Sequence, residues 1–210
     1  MKTTLLALVS GALLLGSAVA SEACTRQVPA RASELVVPTK RINQALFDDA
    51  VRGEVNFHRC RAGLRPVADA GNSMASVARG HSQWMASRQV LSHRSTVPGK
   101  ASLRQRIKSA GVRFKTGSEN IGMVHRYQID NLRFKIINSS ACQFSTYDGR
   151  ALPAHSYATL ARHIVQLWME SPGHRKNILD RNARRTAVAV AFDRNAQYCG
   201  RYWVTQKFIG

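Results

Sequence analysis

The chain has 210 residues and carries 31 Lys and Arg against 12 Asp and Glu, a formal charge of +19 at pH 7. The length suits one domain with its own core, and no internal repeat or low-complexity tract breaks it. The charge draws such a chain to polyanions, and the four cysteines include no Cys-x-x-Cys, which argues against dithiol redox catalysis and a zinc ribbon.

Residues 1–20 read as a secretory leader. Lys2 is the positive start, Leu5 to Gly16 the apolar stretch, and Ala18-Val19-Ala20 the cleavage site. The apolar stretch is too short to span a bilayer, so no transmembrane segment is expected. Glu22-Ala23 before Cys24 does not resemble a lipobox. The expectation is export to the periplasm or the extracellular space, with a charge of +18 once Lys2 is removed.

Residues 21–40 hold two prolines and little periodicity, and read as an N-terminal arm. Cys24, Cys60, Cys142 and Cys199 all follow the cleavage site, and an even count in an exported chain predicts two disulfides. Four cysteines allow three pairings and the sequence does not choose among them. We favour Cys142 with Cys199 and Cys24 with Cys60.

Arg41 to Arg61 places Ile42, Leu46, Ala50, Val51, Val55 and Phe57 at helical spacing, and Gly63-Leu64-Arg65-Pro66-Val67 ends that helix. Asn72 or Ser73 can cap a second helix, with Met74, Val77, Ala78, His81, Trp84 and Met85 on one side. Pro98-Gly99 marks a turn, and Ser102 to Ala110 a short helix closed by Gly111. Glu119 to Val124 reads as a strand. Arg126 to Pro153 reads as an insertion with two strands, pinned by a disulfide. His155 to Glu170 is a third long helix. Ser171-Pro172-Gly173 stops it and presents His174 on the turn beyond.

Thr186 to Phe192 alternates large and small apolar residues, so both faces of its sheet should be covered. Asp193 to Gln197 is a hairpin loop, and Tyr198 to Phe208 returns as the partner strand. Helices followed by a doubly buried hairpin predict an α+β fold: a three-layer α-β-α sandwich around a mainly antiparallel sheet.

His93, Glu119 and His174 lie far apart in sequence but all at element ends. Two imidazoles and a carboxylate suit a divalent metal, Zn2+ above all, with His93 and His174 as ligands and Glu119 as candidate general base. The same residues could instead form a hydrogen-bonded cluster closing a cleft. His58, His125, His155 and His163 read as surface or packing residues, and so does His81 on its apolar helix face. Trp84 and Trp168 read as core. Asn120 follows Glu119 on a strand, so it should point to the opposite face and bond a loop backbone.

Several segments resemble the CAP superfamily of cysteine-rich secretory, antigen 5 and pathogenesis-related 1 proteins, in its bacterial SCP-like extracellular subgroup. They are Asn56-x-x-Arg59, Gly63-Leu64-x-Pro66-Val67, Ala78-x-x-His81-x-x-x-Met85, Ser92-His93, Ser118-Glu119-Asn120-Ile121, Trp168-x-x-Ser171-Pro172-Gly173-His174-Arg175-x-Asn177-Ile178-Leu179 and Thr205-Gln206-x-Phe208. The resemblance runs over residues 41–210. The resemblance implies an α-β-α sandwich with a cleft holding a metal-binding His-Glu-Glu-His tetrad. His93 stands at its first histidine, Glu119 at its first glutamate and His174 at its last histidine. The second glutamate of eukaryotic members falls at Ser171. Glu170 is one residue early, rotated by roughly 100° on a helix, and both Glu170 and Ser171 are taken with Glu119 as cleft candidates.

Three functions follow as expectations. The first is a cleft that binds a metal and an anionic envelope component, such as lipid, lipopolysaccharide or a cell-wall polymer. The second is a metal-dependent hydrolase of peptide, cell wall or phosphodiester. The third is a non-catalytic polyanion-binding module, to which nucleic acid would bind through charge alone. No His-Glu-x-x-His or Gly-x-Ser-x-Gly motif supports the second.

Overall fold

A computed structural model describes residues 24–38 and 41–210. The expected leader, 1–20, lies outside the described residues. In chain order the elements are α1 (Gln44–Arg61), β1 (Ala68–Asp69), α2 (Asn72–Arg88), α3 (Leu103–Ser109), β2 (Gly117–His125), β3 (Lys135–Asn138), β4 (Gln143–Ser145), α4 (Tyr157–Glu170), α5 (Pro172–Ile178), β5 (Arg185–Asp193) and β6 (Arg201–Ile209).

The central sheet runs β1-β5-β6-β2, parallel between β1 and β5 and antiparallel elsewhere. Strand alternation divides its two faces. Val188, Val190, Tyr202, Val204, Phe208 and Val124 pack into the cluster formed with α1, α4 and α5. Ala187, Ile209, Ile121 and Trp203 pack toward α2 and α3. The small residues of β5 let α2 lie close, so the Ser82 hydroxyl donates to the Ala189 carbonyl at 3.1 Å and pairs with the Thr205 hydroxyl at 2.9 Å. The expected three layers and the doubly buried hairpin are both present.

Side chains close both edges of this sheet, which would otherwise offer unpaired backbone groups. β1 covers only the start of β5. Beyond it, Gln44 bonds both backbone groups of Val190 at 3.0 Å, and Asp48 accepts from Val188 N. On the outer edge of β2, Asn177 donates to the Glu119 carbonyl at 3.1 Å and Trp168 to the Ile121 carbonyl at 2.9 Å.

Element ends follow local chemistry. Ser102 and Ser156 cap α3 and α4 in reciprocal pairs with Gln105 and Thr159. Asn43 caps α1 by accepting from Leu46 N. The second helix is not capped by Asn72 or Ser73: its N-cap is Gly71, at φ 86°, and Asn72 is already helical. Tyr198 and Cys199 do not continue the last strand. With Gly200 they form a run at positive φ (57°, 66° and 105°), which no strand tolerates. The two-residue β1 carried no readable signal.

Both favoured disulfides are formed, Cys24–Cys60 and Cys142–Cys199. The second pins the 126–153 insertion, which holds the expected two strands, β3 and β4, over a small cluster of Ile129, Phe144 and Leu152. The described part of the arm is packed rather than loose. Ala32 and Val36 are buried in the main core, and Tyr157 N and Ala158 N donate to the carbonyls of Glu34 and Ala32. A Cβ on Gly53 would collide with the Gln27 carbonyl, so only glycine lets the arm cross α1 there.

Candidate functional site

β2 is an edge strand, so loops from both helical layers can meet around it. His93 follows α2 on one layer and His174 lies in α5 on the other. Their ring centroids are 6.4 Å apart. His174 is not on a free turn: Ser171 is the N-cap of α5 and Pro172 its first residue, which places His174 in the first turn. Asn120 holds that turn from the sheet. It donates to the His174 carbonyl at 3.3 Å and accepts from Asn177 at 2.9 Å, the structural part expected of it.

Glu119 is the buried centre. Its register partner on β6 is Lys207, and the two side chains pair in the interior. Arg106 of α3 binds both carboxylate oxygens, at 2.7 and 3.0 Å. The same guanidinium group accepts no proton and donates also to the carbonyls of His93, Lys100 and Ala101, which fixes the loop carrying His93. His93 Nδ1 lies 3.0 Å from Glu119 Oε1. A carboxylate can only accept, so Nδ1 carries the proton and Nε2 is the free nitrogen of the neutral ring.

Burial alone would raise the Glu119 carboxyl, but the His93 hydrogen bond and the Lys207 and Arg106 charges outweigh it and hold it at about 2. Burial, with Arg106 nearby, brings Lys207 down to about 8 despite Glu119. His174 is pushed down, by burial first and then by His93. His81 donates from Nε2 to the Ser92 carbonyl at 3.0 Å and stacks on Trp84. Burial lowers it to about 4, so it stands neutral 3.8 Å from Glu119. The packing role read for His81 and for the buried Trp168 agrees with these contacts, and Trp84 is half-buried against His81.

The structure brings His93, Glu119 and His174 together and leaves the other cleft candidates out. Glu170 is exposed and accepts from Gln166 one turn back, because its position on α4 turns it away from β2. The Ser171 side chain bonds neither histidine; its carbonyl accepts from Arg175 N as α5 begins. Among the described residues, no group of three or more His, Cys, Asp or Glu side chains is arranged to hold a metal. The donors that do fit a divalent ion are the two imidazoles. His93 is 53% exposed at its side chain and has a carboxylate behind its other nitrogen, the backing that metal-binding histidines use. Glu119 does not fit as a ligand, since two cations already occupy its oxygens.

Arg106 and Lys207 were missed in the sequence. Lys207 had a signal: a lysine inside a strand covered on both faces requires a buried carboxylate. Arg106 had none beyond its place between Leu103 and Ile107. The Asn56-x-x-Arg59 motif proves structural. Asn56 pairs with both backbone groups of Val67, and buried Arg59 donates to the carbonyls of Arg65, Ile178 and Asp180.

An α-β-α sandwich with paired histidines at the edge strand and a buried glutamate behind them defines a class. The chain belongs to the cysteine-rich secretory protein (CAP) family, which matches residues 53–208. It is 27% identical over 194 residues to the uncharacterized protein YkwD of Bacillus subtilis (strain 168), covering 92% of this chain and 59% of YkwD. The chain thus spans less than two thirds of that relative. An extracellular protein containing a SCP domain from Bacillus anthracis str. Ames shares the fold, with a TM-score of 0.52 at 23% identity over 79% of this chain and 41% of its own. A cysteine-rich secretory protein (SAV1118) from Staphylococcus aureus subsp. aureus Mu50 aligns with a TM-score of 0.47 at 16% identity, over 80% and 40%.

Proposed function

We propose that this is an exported CAP-domain protein whose cleft binds a divalent metal on His93 and His174, and whose basic surface carries it to an anionic component of the cell envelope. The observation that carries the reading is the His93–His174 pair, held open at the edge of β2 by a buried, charge-balanced Glu119. Two disulfides suit an oxidising compartment, and among the described residues no helix is long and apolar enough to cross a membrane. The description of the Bacillus anthracis relative as extracellular agrees with export.

A divalent ion bound there would offer a Lewis-acid centre to a phosphate or carboxylate oxygen of a ligand. The chain's own residues prepare that position. Glu119 sets the tautomer and orientation of His93. Arg106 and Lys207 set Glu119. Asn120 and Asn177 set the helix that carries His174.

The same clamp favours binding over hydrolysis. A general base works best with a proton affinity near the operating pH. Glu119, held at about 2, is a weak base and acts as a positioning residue.

Calorimetric titration of Zn2+ into the metal-stripped chain tests this, beside a His93→Ala/His174→Ala variant. One site of micromolar or tighter affinity, absent from the variant, is expected. Equal heats from both proteins would overturn the metal reading.

A further inference from the structure

Away from the cleft, two cavities open at the end of the sheet where β2 begins and β6 finishes. One, of about 840 Å³, is lined by Arg113, Lys115 and Arg184. The other, of about 350 Å³, is lined by Arg104 and Lys108. Phe114 and Lys115 line both, so the two adjoin and together form one basic groove region. No aspartate or glutamate side chain lines either part, and the terminal Gly210 that lines the larger one has an oxygen taken up by Lys115 N and Thr116 N. All five cations are exposed, and among the described residues none takes part in an ion pair. Asp180, four residues before Arg184, is turned back to accept from Asn182 N at 2.8 Å, and Glu119, four after Lys115, is buried against Arg106 and Lys207.

The groove is built, not a chance meeting of mobile side chains. Lys115 N and Thr116 N donate to the Gly210 carbonyl at 2.6 and 3.1 Å, and Arg184 N to the Ile209 carbonyl at 2.9 Å. Arg185 reaches across to the Arg113 carbonyl at 3.3 Å and ties the two walls. Arg104 and Lys108 stand four residues apart on one face of α3, while Arg106 between them turns inward to Glu119. One short helix therefore divides the groove from the histidine cleft.

We infer that this groove binds a linear phosphodiester polymer. Its five cations are shared between two adjoining cavities, which suits successive phosphates better than a single charged headgroup. Three of the five are arginines, whose planar fork binds phosphate oxygens in pairs. Each phosphate neutralised releases condensed counterions, so affinity falls steeply with salt. The inference rests on the anionic-partner half of the proposed function and is independent of its metal half.

The test compares two variants with the same loss of charge. Arg113→Gln/Lys115→Gln/Arg184→Gln removes three of the five groove cations. Arg133→Gln/Lys135→Gln/Arg150→Gln removes three cations from the insertion. Fluorescein-labelled (dT)20 and poly(glycerol phosphate) are the probes, read by anisotropy across a salt series, with each variant's thermal melt confirming its fold. The unaltered chain should bind with a log–log salt slope near −3.5, about 0.7 for each cation engaged. The groove variant should bind about tenfold more weakly, with a slope shallower by about two units. The insertion variant should stay within about twofold of the unaltered chain.

Binding of either polymer in this pattern supports the inference, and the one preferred names the source as envelope polymer or nucleic acid. Equal losses in both variants, or no binding at low salt, would overturn it. The His93→Ala/His174→Ala variant should bind both probes as the unaltered chain does. Failure of the groove therefore leaves the Zn2+ titration standing, and failure of the titration leaves the groove standing.

Discussion

At the start of β2, Glu119 gathers His81, His93, Arg106 and Lys207. Just past its end, Asp130 gathers His125 and His163, with Arg201 on the far nitrogen of His125 and His155 stacked on His163. The residue types nearly match, yet the clusters are built for different ends. Glu119 is balanced by Arg106 and Lys207, so its imidazole neighbour His93 is free to stand half in solvent. Asp130 has no such direct partner among the described residues. It is satisfied at 2.6 Å by His125, whose side chain is only 17% exposed and whose other nitrogen faces Arg201 at 3.0 Å. His155 and His163 leave their Nε2 atoms buried without a hydrogen-bond partner. A histidine is available to a ligand when something else carries the electrostatic load of its carboxylate.

That contrast can be broken most forcefully at the carboxylates. Glu119→Ala leaves Arg106 and Lys207 buried without an anion, and removing one partner of such a cluster costs about 3–5 kcal/mol. Asp130→Ala removes hydrogen bonds to the His125 ring and backbone and strands no Lys or Arg paired to it, so about 1–3 kcal/mol is expected. Urea unfolding at pH 7 separates the two. Equal losses would mean that the cations add nothing beyond what the imidazoles give. Zn2+ binding should vanish with Glu119→Ala and survive Asp130→Ala.

How much of this was visible in the sequence divides along the same line. His93, Glu119 and His174 were legible because each sits in a short motif at an element end. The sheet was legible because Thr186 to Phe192 is apolar on both faces. The clamp was not, because a cation contributed from α3 leaves no periodic trace. Glu170 was a cleft candidate already one residue early on its helix, and the roughly 100° turn per residue carries it off the cleft to Gln166. Tyr198 and Cys199 looked like strand because their apolar character masked a backbone turn forced by positive φ.

Acid should sharpen the comparison next, since each cluster holds one buried neutral histidine. Burial lowers His81 and His155 to about 4, against about 6.5 in an unfolded chain. Between those values the unfolded chain binds the proton and the folded one does not, so stability falls as pH drops from 6.5 to 4. His58 and His174, also lowered by burial, act in the same direction. Asp48 opposes them. Burial raises it to about 6, so the folded chain takes up its proton first and gains stability as pH falls from 6 toward 3.8. Glu119 adds its own loss only from about pH 4.5 down to about 2. Urea midpoints at pH 7, 5.5 and 4 should decline. His155→Gln should flatten the decline by as much as about 1.4 kcal/mol per pH unit, one proton's worth, and Asp48→Asn should steepen it. A His155→Gln variant with an unchanged slope would show that His155 titrates alike in both states.

The smallest effect should come from Asn177, which touches neither histidine side chain. Its amide donates to the Glu119 carbonyl at 3.1 Å and to Asn120 Oδ1 at 2.9 Å, joining the helix of His174 to the strand of Glu119. Asn177→Ala removes both bonds from a half-buried position where water can replace part of them, so about 1 kcal/mol of stability should be lost. If His174 is placed by this seam, Zn2+ affinity should weaken by severalfold while urea midpoints in acid keep the slope of the unaltered chain. Loss of stability with unchanged Zn2+ affinity would mean that Asn120 alone sets His174. Lost affinity together with an altered acid slope would mean that the two clusters communicate along β2. The seam, rather than the ligating atoms, would then be what distinguishes the open cluster from the closed one.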